Sequence, residues 1–442
     1  METIPVVTGA GQAAIRRDVG HSTAARILGY TLSLMSAVAV SRALGPEGKG
    51  TLSLATAIPG IMALVFGMGI GTALTIGARE RWLPVRFAAG AITLYAVFVG
   101  FGFAAIAWLW VSGASGGGPS PAIVLAATAS IGGLLLADAA GGLLQGIGRV
   151  RAGMWLRQAV GLGQSTTAIV LILFGVPVVL PILVAIALWT WGCGGAGIVL
   201  IYRAPSTDRR VARDRWWAKL VQVGIRSQFI WILLMLNYRQ DVALLGALGS
   251  VADVGVYSVA VGFSEVAWFG VNALVGVLLP HLSAVEPNLA AARAARSIRA
   301  SIAATLALSL VVLLGSYMLA ARIFGEGFAR TDVVFAALIP GLVTLAAFKI
   351  VAVYAVASRR VRVPAGLAAF GLLLNLGCNF LLIPPLGSLG AGISSSVSYS
   401  VIAFGALVWF IRTTAIRPGD VLLPTQGDIL GARRSLGRLG VR

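Results

Sequence analysis

Acids, cysteines and histidines are scarce in this chain of 442 residues, which has 15 Asp and Glu, two Cys and two His. Each shortage excludes something. Cys193 and Cys378 both fall inside apolar stretches and read as small packing residues, so no disulfide framework or redox compartment follows from them. His21 and His281 stand at the ends of apolar stretches with no second metal ligand nearby, and no metal or cofactor is expected. No serine–histidine–acid arrangement and no nucleotide-binding loop is present, so the chain is not read as an enzyme. Charged residues of both signs make up only 11% of the chain. With 58% hydrophobic residues and a mean hydropathy of +0.93, the chain has too little polar surface to cover itself in water.

Long apolar runs are abundant. A helix of about 20 residues spans the roughly 30 Å of bilayer hydrocarbon. Twelve such spans are expected near 24–43, 51–77, 86–111, 121–146, 155–174, 178–202, 220–246, 254–280, 298–320, 332–357, 363–384 and 387–411. The fold class is therefore an all-α polytopic membrane protein. Residues 1–22 lack the apolar core of a cleavable signal, so the first span is expected to act as an uncleaved anchor. The connections are short, the longest outer one being the Gly/Ser-rich segment 112–120. None could house a separate catalytic domain.

The net charge of +19 suggests a nucleic-acid partner until the charges are placed. With both termini inside, 27 of the 34 basic residues fall on the inner side, and only Arg42, Lys49, Arg322 and Arg330 fall on the outer side. That asymmetry is the positive-inside rule at work and offers contacts to anionic lipid. A multi-pass protein of a bacterial plasma membrane with both ends cytoplasmic is expected, without a nucleic-acid partner.

The basic segment 203–219 is the one substantial polar connection. It divides the chain into a cytoplasmic segment 1–22, a first six-helix bundle at 23–202, the linker itself, a second bundle at 220–412 and a basic tail at 413–442. The tail is expected to be unstructured. Weak repetition supports the halves: Gly50, Ser53 and Ala55 follow Leu44-Gly45, as Gly255, Ser258 and Ala260 follow Leu248-Gly249. Two glycine-rich stretches carry no nucleotide chemistry. Gly45-Pro46-Glu47-Gly48-Lys49-Gly50-Thr51 has the wrong spacing for a phosphate loop, and Gly67-Met68-Gly69-Ile70-Gly71 lies inside a span, where small residues allow close helix contact.

Polar residues inside the spans carry the functional argument, because a charged side chain at mid-helix costs about 2.5–3.5 kcal/mol on insertion scales. At 100° per residue, Gln222, Arg226, Asn237, Gln240 and Asp241 share one face of the seventh span, about 100° wide. Arg226 and Asp241 lie about 22 Å apart along it. Ser258, Glu265, Asn272 and Gly276 share a face of the eighth. Asp138 and Gln145 lie together on the fourth, Asn375 and Asn379 on the eleventh, Lys349 within the tenth and Arg26 at the start of the first. The expected path-lining residues are Arg26, Asp138, Arg226, Asn237, Asp241, Glu265, Asn272, Lys349 and Asn375. The alternative for each is a hydrogen bond between helices with no further role.

Several stretches match a known pattern in order and spacing. Arg42-Ala43-Leu44-Gly45-Pro46-Glu47-Gly48-Lys49-Gly50 followed by Gly69-Ile70-Gly71-Thr72-Ala73-Leu74-Thr75 resembles the first two spans of bacterial polysaccharide flippases. Asn237-Tyr238-Arg239-Gln240-Asp241, Gly255-Val256-Tyr257-Ser258-Val259-Ala260 and Leu279-Pro280-His281-Leu282-Ser283 are similar to their seventh and eighth spans. Asn375 with Ile383-Pro384-Pro385-Leu386-Gly387-Ser388-Leu389-Gly390-Ala391-Gly392 is similar to the eleventh and twelfth. The superfamily also holds multidrug-and-toxin extrusion transporters and lipid II flippases.

The resemblance covers about residues 22–412. It implies two six-helix bundles around a central cavity, alternating access, and an undecaprenyl-pyrophosphate-linked oligosaccharide flipped to the outer leaflet for surface polysaccharide biosynthesis. Membrane lipids, and polymerase or glycosyltransferase machinery, are the implied partners. Arg26-Ile27-Leu28-Gly29 matches a local lipid II flippase pattern, but Leu32 stands where that pattern has a second arginine, which argues for a polysaccharide precursor. A cation-coupled multidrug exporter, using Asp138, Asp241 and Glu265, and a membrane glycan ligase or polymerase stay open as alternatives.

Overall fold

In a computed structural model of the chain, the apolar runs are helices throughout and no strand occurs among the described residues. The structure describes residues 9–113, 120–176, 178–205, 216–414 and 416–422, the side chains of 9–27, 110–113, 276, 280 and 422 excepted. Fourteen α-helices and one 3-10 turn follow in order. They are α1 Gly9–Gly67, α2 Ile70–Arg79, α3 Val85–Gly113, α4 Pro121–Gly146, α5 Val150–Leu173, α6 Val179–Tyr202 and α7 Trp216–Leu248. After these come α8 Val251–Ala267, α9 Phe269–Ser283, α10 Pro287–Phe324, the turn Glu326–Phe328, α11 Thr331–Ala357, α12 Arg362–Leu386, α13 Ser388–Thr414 and α14 Pro418–Leu422.

Ten helices are long and apolar enough to cross a membrane, and α8 with α9, bent by 53° at Trp268, makes an eleventh. The twelve expected spans differ from this number at α1. Its apolar part, Leu28–Gly67, is 40 residues long, about 60 Å at helical rise and so twice the hydrocarbon thickness. Gly45, with φ 65° and ψ −173°, interrupts the helix near the middle of that stretch. Each side of the interruption is long enough for about one crossing, which recovers the expected first two spans.

The chain separates into two compact units, Met1–Ile232 and Leu233–Arg442. The division lies within α7 and not in the basic linker 203–219, of which residues 206–215 lie outside the described part. The physical reason is the packing of α7's first half. Trp216 and Leu220 are buried in the core of the first unit, Trp216 meets Phe87 edge-on, and Trp217 meets Tyr95. The Lys219 ammonium lies 4.4 Å from the centre of the Trp82 ring.

In the first unit α4 is the central helix, packed by α1, α2, α3, α5 and α6. Its sequence explains that position. A run of Ala and Gly from Ala139 to Gly142 gives it little girth, so neighbouring backbones approach closely. A side chain on Gly142 would strike the carbonyl of Gly71 in α2. Two arginines finish α6: Arg86, in the first turn of α3, donates to the carbonyls of Tyr202 and Ala204, and Arg149, just before α5, to that of Leu200. Cations at a helix C-terminus satisfy its free carbonyls and complement its dipole.

Between α1 and α2 the chain turns through two left-handed residues, Met68 and Gly69. Gly69 has φ 71°, and a Cβ there would lie 2.6 Å from the Gly224 carbonyl oxygen of α7. Both facts demand glycine. The break is fastened by Gln228 of α7, whose Nε2 donates to Thr72 Oγ1 at 2.9 Å.

In the second unit α11 is the central helix, in contact with α8, α9, α10, α12 and α13. Asp253, in the first turn of α8, accepts from the backbone N–H and the hydroxyl of Ser388 at 3.2 and 2.9 Å, and so caps α13. Part of the segment expected to be unstructured, 413–442, is helical. α13 runs to Thr414, and α14 packs on α10 with Val421 fully buried and Arg299 donating to the Asp420 carbonyl. Residues 423–442 lie outside the described part.

Gly69→Ala is expected to destabilise the protein by about 1–3 kcal/mol, from the left-handed backbone and the lost approach to α7. Gly60→Ala, with open space around the new methyl, is expected to do no harm. Thermal midpoints of the two purified variants in detergent check this, and equal midpoints would contradict it.

Candidate functional site

Each polar residue that the sequence places inside a span has one of three fates in the structure: locked into a dry network, caged, or left accessible. Arg26 is the exception, because its side chain lies outside the described residues.

The locked group lies in the second unit around Asp241, which is fully buried. One carboxylate oxygen accepts from Asn375 Nδ2 at 2.9 Å and Asn379 Nδ2 at 2.7 Å. The other accepts from the Tyr257 hydroxyl at 2.8 Å and the Ser395 hydroxyl at 2.5 Å. Asn237, also fully buried, receives Asn375 Nδ2 on its own Oδ1 at 2.8 Å and donates to Ser398 Oγ at 3.4 Å. An ionised carboxylate is acceptor-only with about four lone-pair sites, and four donors converge on this one.

Asn237 and Asp241 were expected to line an open strip with Arg226, and Asn375 of the eleventh span to line the same path, and the structure corrects that picture. α12 and α13 cover this half of α7, so the three residues have no exposed surface. Gln240, half-buried, donates to the Leu372 carbonyl of α12.

The caged residue is Lys349 of α11, 3% exposed. Its ammonium donates to Asn272 Oδ1 at 2.9 Å and stands 3.8 Å above the Trp268 ring and 5.6 Å from that of Tyr238. Desolvated cation–π contacts of this kind are worth about 2 kcal/mol. Trp268 is the residue at which α8 gives way to α9, and its indole N–H donates to the Leu342 carbonyl of α11. Lys349 therefore sits at the bend of the eighth span. Glu265 of α8 is half-buried.

Accessible groups lie in both units: in the second, Arg239 of α7 is exposed and Glu265 of α8 is half-buried, and the others lie in the first. Arg226 is exposed on α7, as is Gln222 one turn before it. Arg226 is two residues from Gln228, which faces α2, so its own side chain points away from α2. Asp138 of α4 and Arg157 of α5 form an ion pair of 3.2 Å with the two side chains 56% and 33% exposed. Arg157 was not selected as a site residue, being close to the start of the expected span 155–174. It lies about 10 Å along α5, because that helix starts at Val150.

Asn379, Tyr257, Ser395 and Ser398, which complete the Asp241 network, were likewise not selected as site residues. For Asn379 the signal was present in its spacing of four from Asn375. The serines gave none, since hydroxyls are common in spans. Among the described residues no group of three His, Cys, Asp or Glu could hold a metal ion.

The profile of the family described as "Polysaccharide biosynthesis protein" matches residues 15–286, more than half of the chain. The chain belongs to that family. No curated protein matches it by sequence alone. Among solved structures, this family member is similar to lipid II flippase MurJ in its inward closed conformation, with a TM-score of 0.68 and 12% identity over 89% of this chain and 90% of that one. It is also similar to an inward-facing multidrug resistance MATE family transporter of the MOP superfamily, with a TM-score of 0.61 and 17% identity over 88% and 94%. A MOP superfamily transporter from Pyrococcus furiosus follows at a TM-score of 0.56 and 16% identity over 90% and 95%. At these identities the likeness is one of fold. The chain is a multi-pass helical membrane protein with the transporter fold of that superfamily.

Asp241→Ala is expected to abolish folding, because it leaves four buried donors without an acceptor at about 1–3 kcal/mol each. Asp241→Asn is expected to be milder, since the Tyr257 and Ser395 hydroxyls can turn to accept. Size-exclusion profiles of the detergent-extracted variants read this out, and a monodisperse Asp241→Ala protein would count against the network as a structural lock.

Proposed function

We propose that the protein flips an undecaprenyl-pyrophosphate-linked oligosaccharide from the cytoplasmic to the outer leaflet by alternating access, in surface polysaccharide biosynthesis. The observation that carries this reading is Arg226, an exposed arginine inside a membrane-length helix of a polysaccharide biosynthesis family member. An uncompensated guanidinium at such a position costs free energy unless water or an anion meets it. A diphosphate suits it, because guanidinium binds phosphate oxygens in pairs. Neighbouring Gln222 offers neutral hydrogen bonds to sugar hydroxyls.

Energetics favour the outward direction. With the inside negative, moving two negative charges outward gains about 4–5 kcal/mol per 100 mV, so no coupling ion is required. Glycosyltransferases that build the precursor and a polymerase that consumes it are the partners this role needs. The drug-exporter reading requires an accessible acid to hold a cation. Asp241 is closed in by four neutral donors and Asp138 is paired with Arg157, which leaves half-buried Glu265 as the acid for that reading.

Arg226→Ala is expected to cut delivery of lipid-linked glycan to the outer leaflet about tenfold or more, as the loss of one charge-assisted hydrogen-bonding group of about 1.5–3 kcal/mol predicts. Surface labelling of the glycan, in cells whose only flippase is this chain, measures it. Unchanged delivery at a normal protein level would remove Arg226 from the path. Equal delivery by cells lacking the protein would remove the function.

A further inference from the structure

The Asp138–Arg157 pair is placed where an ion pair has no evident structural task. Asp138 lies about 12 Å from the end of α4 and Arg157 about 10 Å from the start of α5, well inside a hydrocarbon layer of about 30 Å. Ala137 before Asp138 and every residue from Ala139 to Leu144 after it are buried, and five helices pack around α4. The accessible side of Asp138 is thus an opening among helices. Contact with lipid at this depth would carry the cost of a bare charge in hydrocarbon.

Glycines hold the opening. A Cβ on Gly71 would lie 2.1 Å from Asp138 Oδ2 and 2.8 Å from Arg157 Nη2, and one on Gly141 would lie 2.8 Å from Arg157 Cγ. Arg157 Nη2 serves both Asp138 Oδ1 and the Asp138 carbonyl, at 3.2 and 3.3 Å, while its Nε is buried with no hydrogen-bond partner. Next to Gly71, Thr72 and Gln228 add a second uncharged donor–acceptor pair.

The chemistry of this opening differs from that around Arg226. Its net charge is zero, and a half-exposed carboxylate beside the guanidinium repels a diphosphate. A neutral sugar ring fits better. One hydroxyl can donate to Asp138 while the oxygen of its neighbour accepts from Arg157, each with its charge-assisted partner. We propose that Asp138 and Arg157 form a sugar subsite that takes adjacent hydroxyls of the carried glycan and leaves its diphosphate to other residues. This rests on the flippase reading above and names the part of the cargo that this pair recognises.

The test uses the full-length protein in lipid nanodiscs with two probes, undecaprenyl pyrophosphate and the same lipid carrying a single hexose. The hexose-bearing lipid is expected to bind the unaltered protein about tenfold more tightly, the yield of one or two hydrogen bonds at a wet site. The double variant Asp138→Asn/Arg157→Gln, which keeps the net charge at zero, is expected to erase that difference and leave the affinity for the sugar-free lipid unchanged. Arg157→Lys keeps the charge without the planar fork, and it is expected to lose most of the difference too. The proposal is overturned if the unaltered protein does not distinguish the probes or if the variants keep the difference. It is equally overturned if folded variants lose both affinities together, since the pair would then serve the diphosphate. Failure of the unaltered protein to bind either probe would instead strike the flippase reading itself.

Discussion

Within the hydrocarbon there is no water to hydrogen-bond a polar group, and every other feature of this protein is arranged around that constraint. The backbone meets it by being helical. The side chains meet it individually, and the second unit shows how thoroughly this can be done. Asp241 receives four donors from α8, α12 and α13, so a charge that would repel hydrocarbon instead ties three helices to α7. Breaking such a buried arrangement is far more costly than never having built it, because the remaining donors cannot turn to solvent. The network thus specifies which helices pair with α7 more than it adds net stability.

The same constraint explains where the helices are allowed to break. At Met68–Gly69 the interrupted backbone lies against Gly224 of α7 and is fastened by Gln228 and Thr72. At Trp268 the interruption is covered by the indole's own bond to Leu342 and by Lys349. Irregular backbone at membrane depth survives only where protein or an aqueous opening covers it, and both breaks are covered by protein. They occur where a neighbouring helix presents glycine or an aromatic ring, so break and cover belong to one packing solution.

Much of the fold was legible in the sequence because hydropathy is a property of each segment alone. The positions of α3 to α7 and α10 to α13 follow from apolar length, while the breaks at Met68–Gly69 and Trp268, inside the expected spans 51–77 and 254–280, do not. What could not be read was which helix covers which face. The angular alignment of Arg226, Asn237 and Asp241 on α7 is real, yet α12 and α13 cover only its second half, so one stripe became an open arginine and a closed network. Arg157 was hidden by its place between a basic loop and an apolar run, where helix ends are uncertain by several residues. The boundary within α7 was hidden for a similar reason: Trp216 and Trp217 look like interfacial anchors, but they pack on Phe87 and Tyr95.

The sorting of cations has a mechanistic consequence that composition could not supply. Lys349 and Arg226 both carry charge inside membrane-length helices, but their charges are not equally usable. The Lys349 ammonium is already solvated by Asn272 and two aromatic faces, so a ligand anion would have to displace contacts worth about as much as it offers. Arg226 has no such substitute for water. Arg157 stands between them, held by a carboxylate that any entering group must share. A cargo with a diphosphate at one end and neutral sugars at the other presents two problems of recognition. On the proposed function, an open cation suits the first and a neutralised pair the second, and the accessible groups of the first unit differ in net charge in that way.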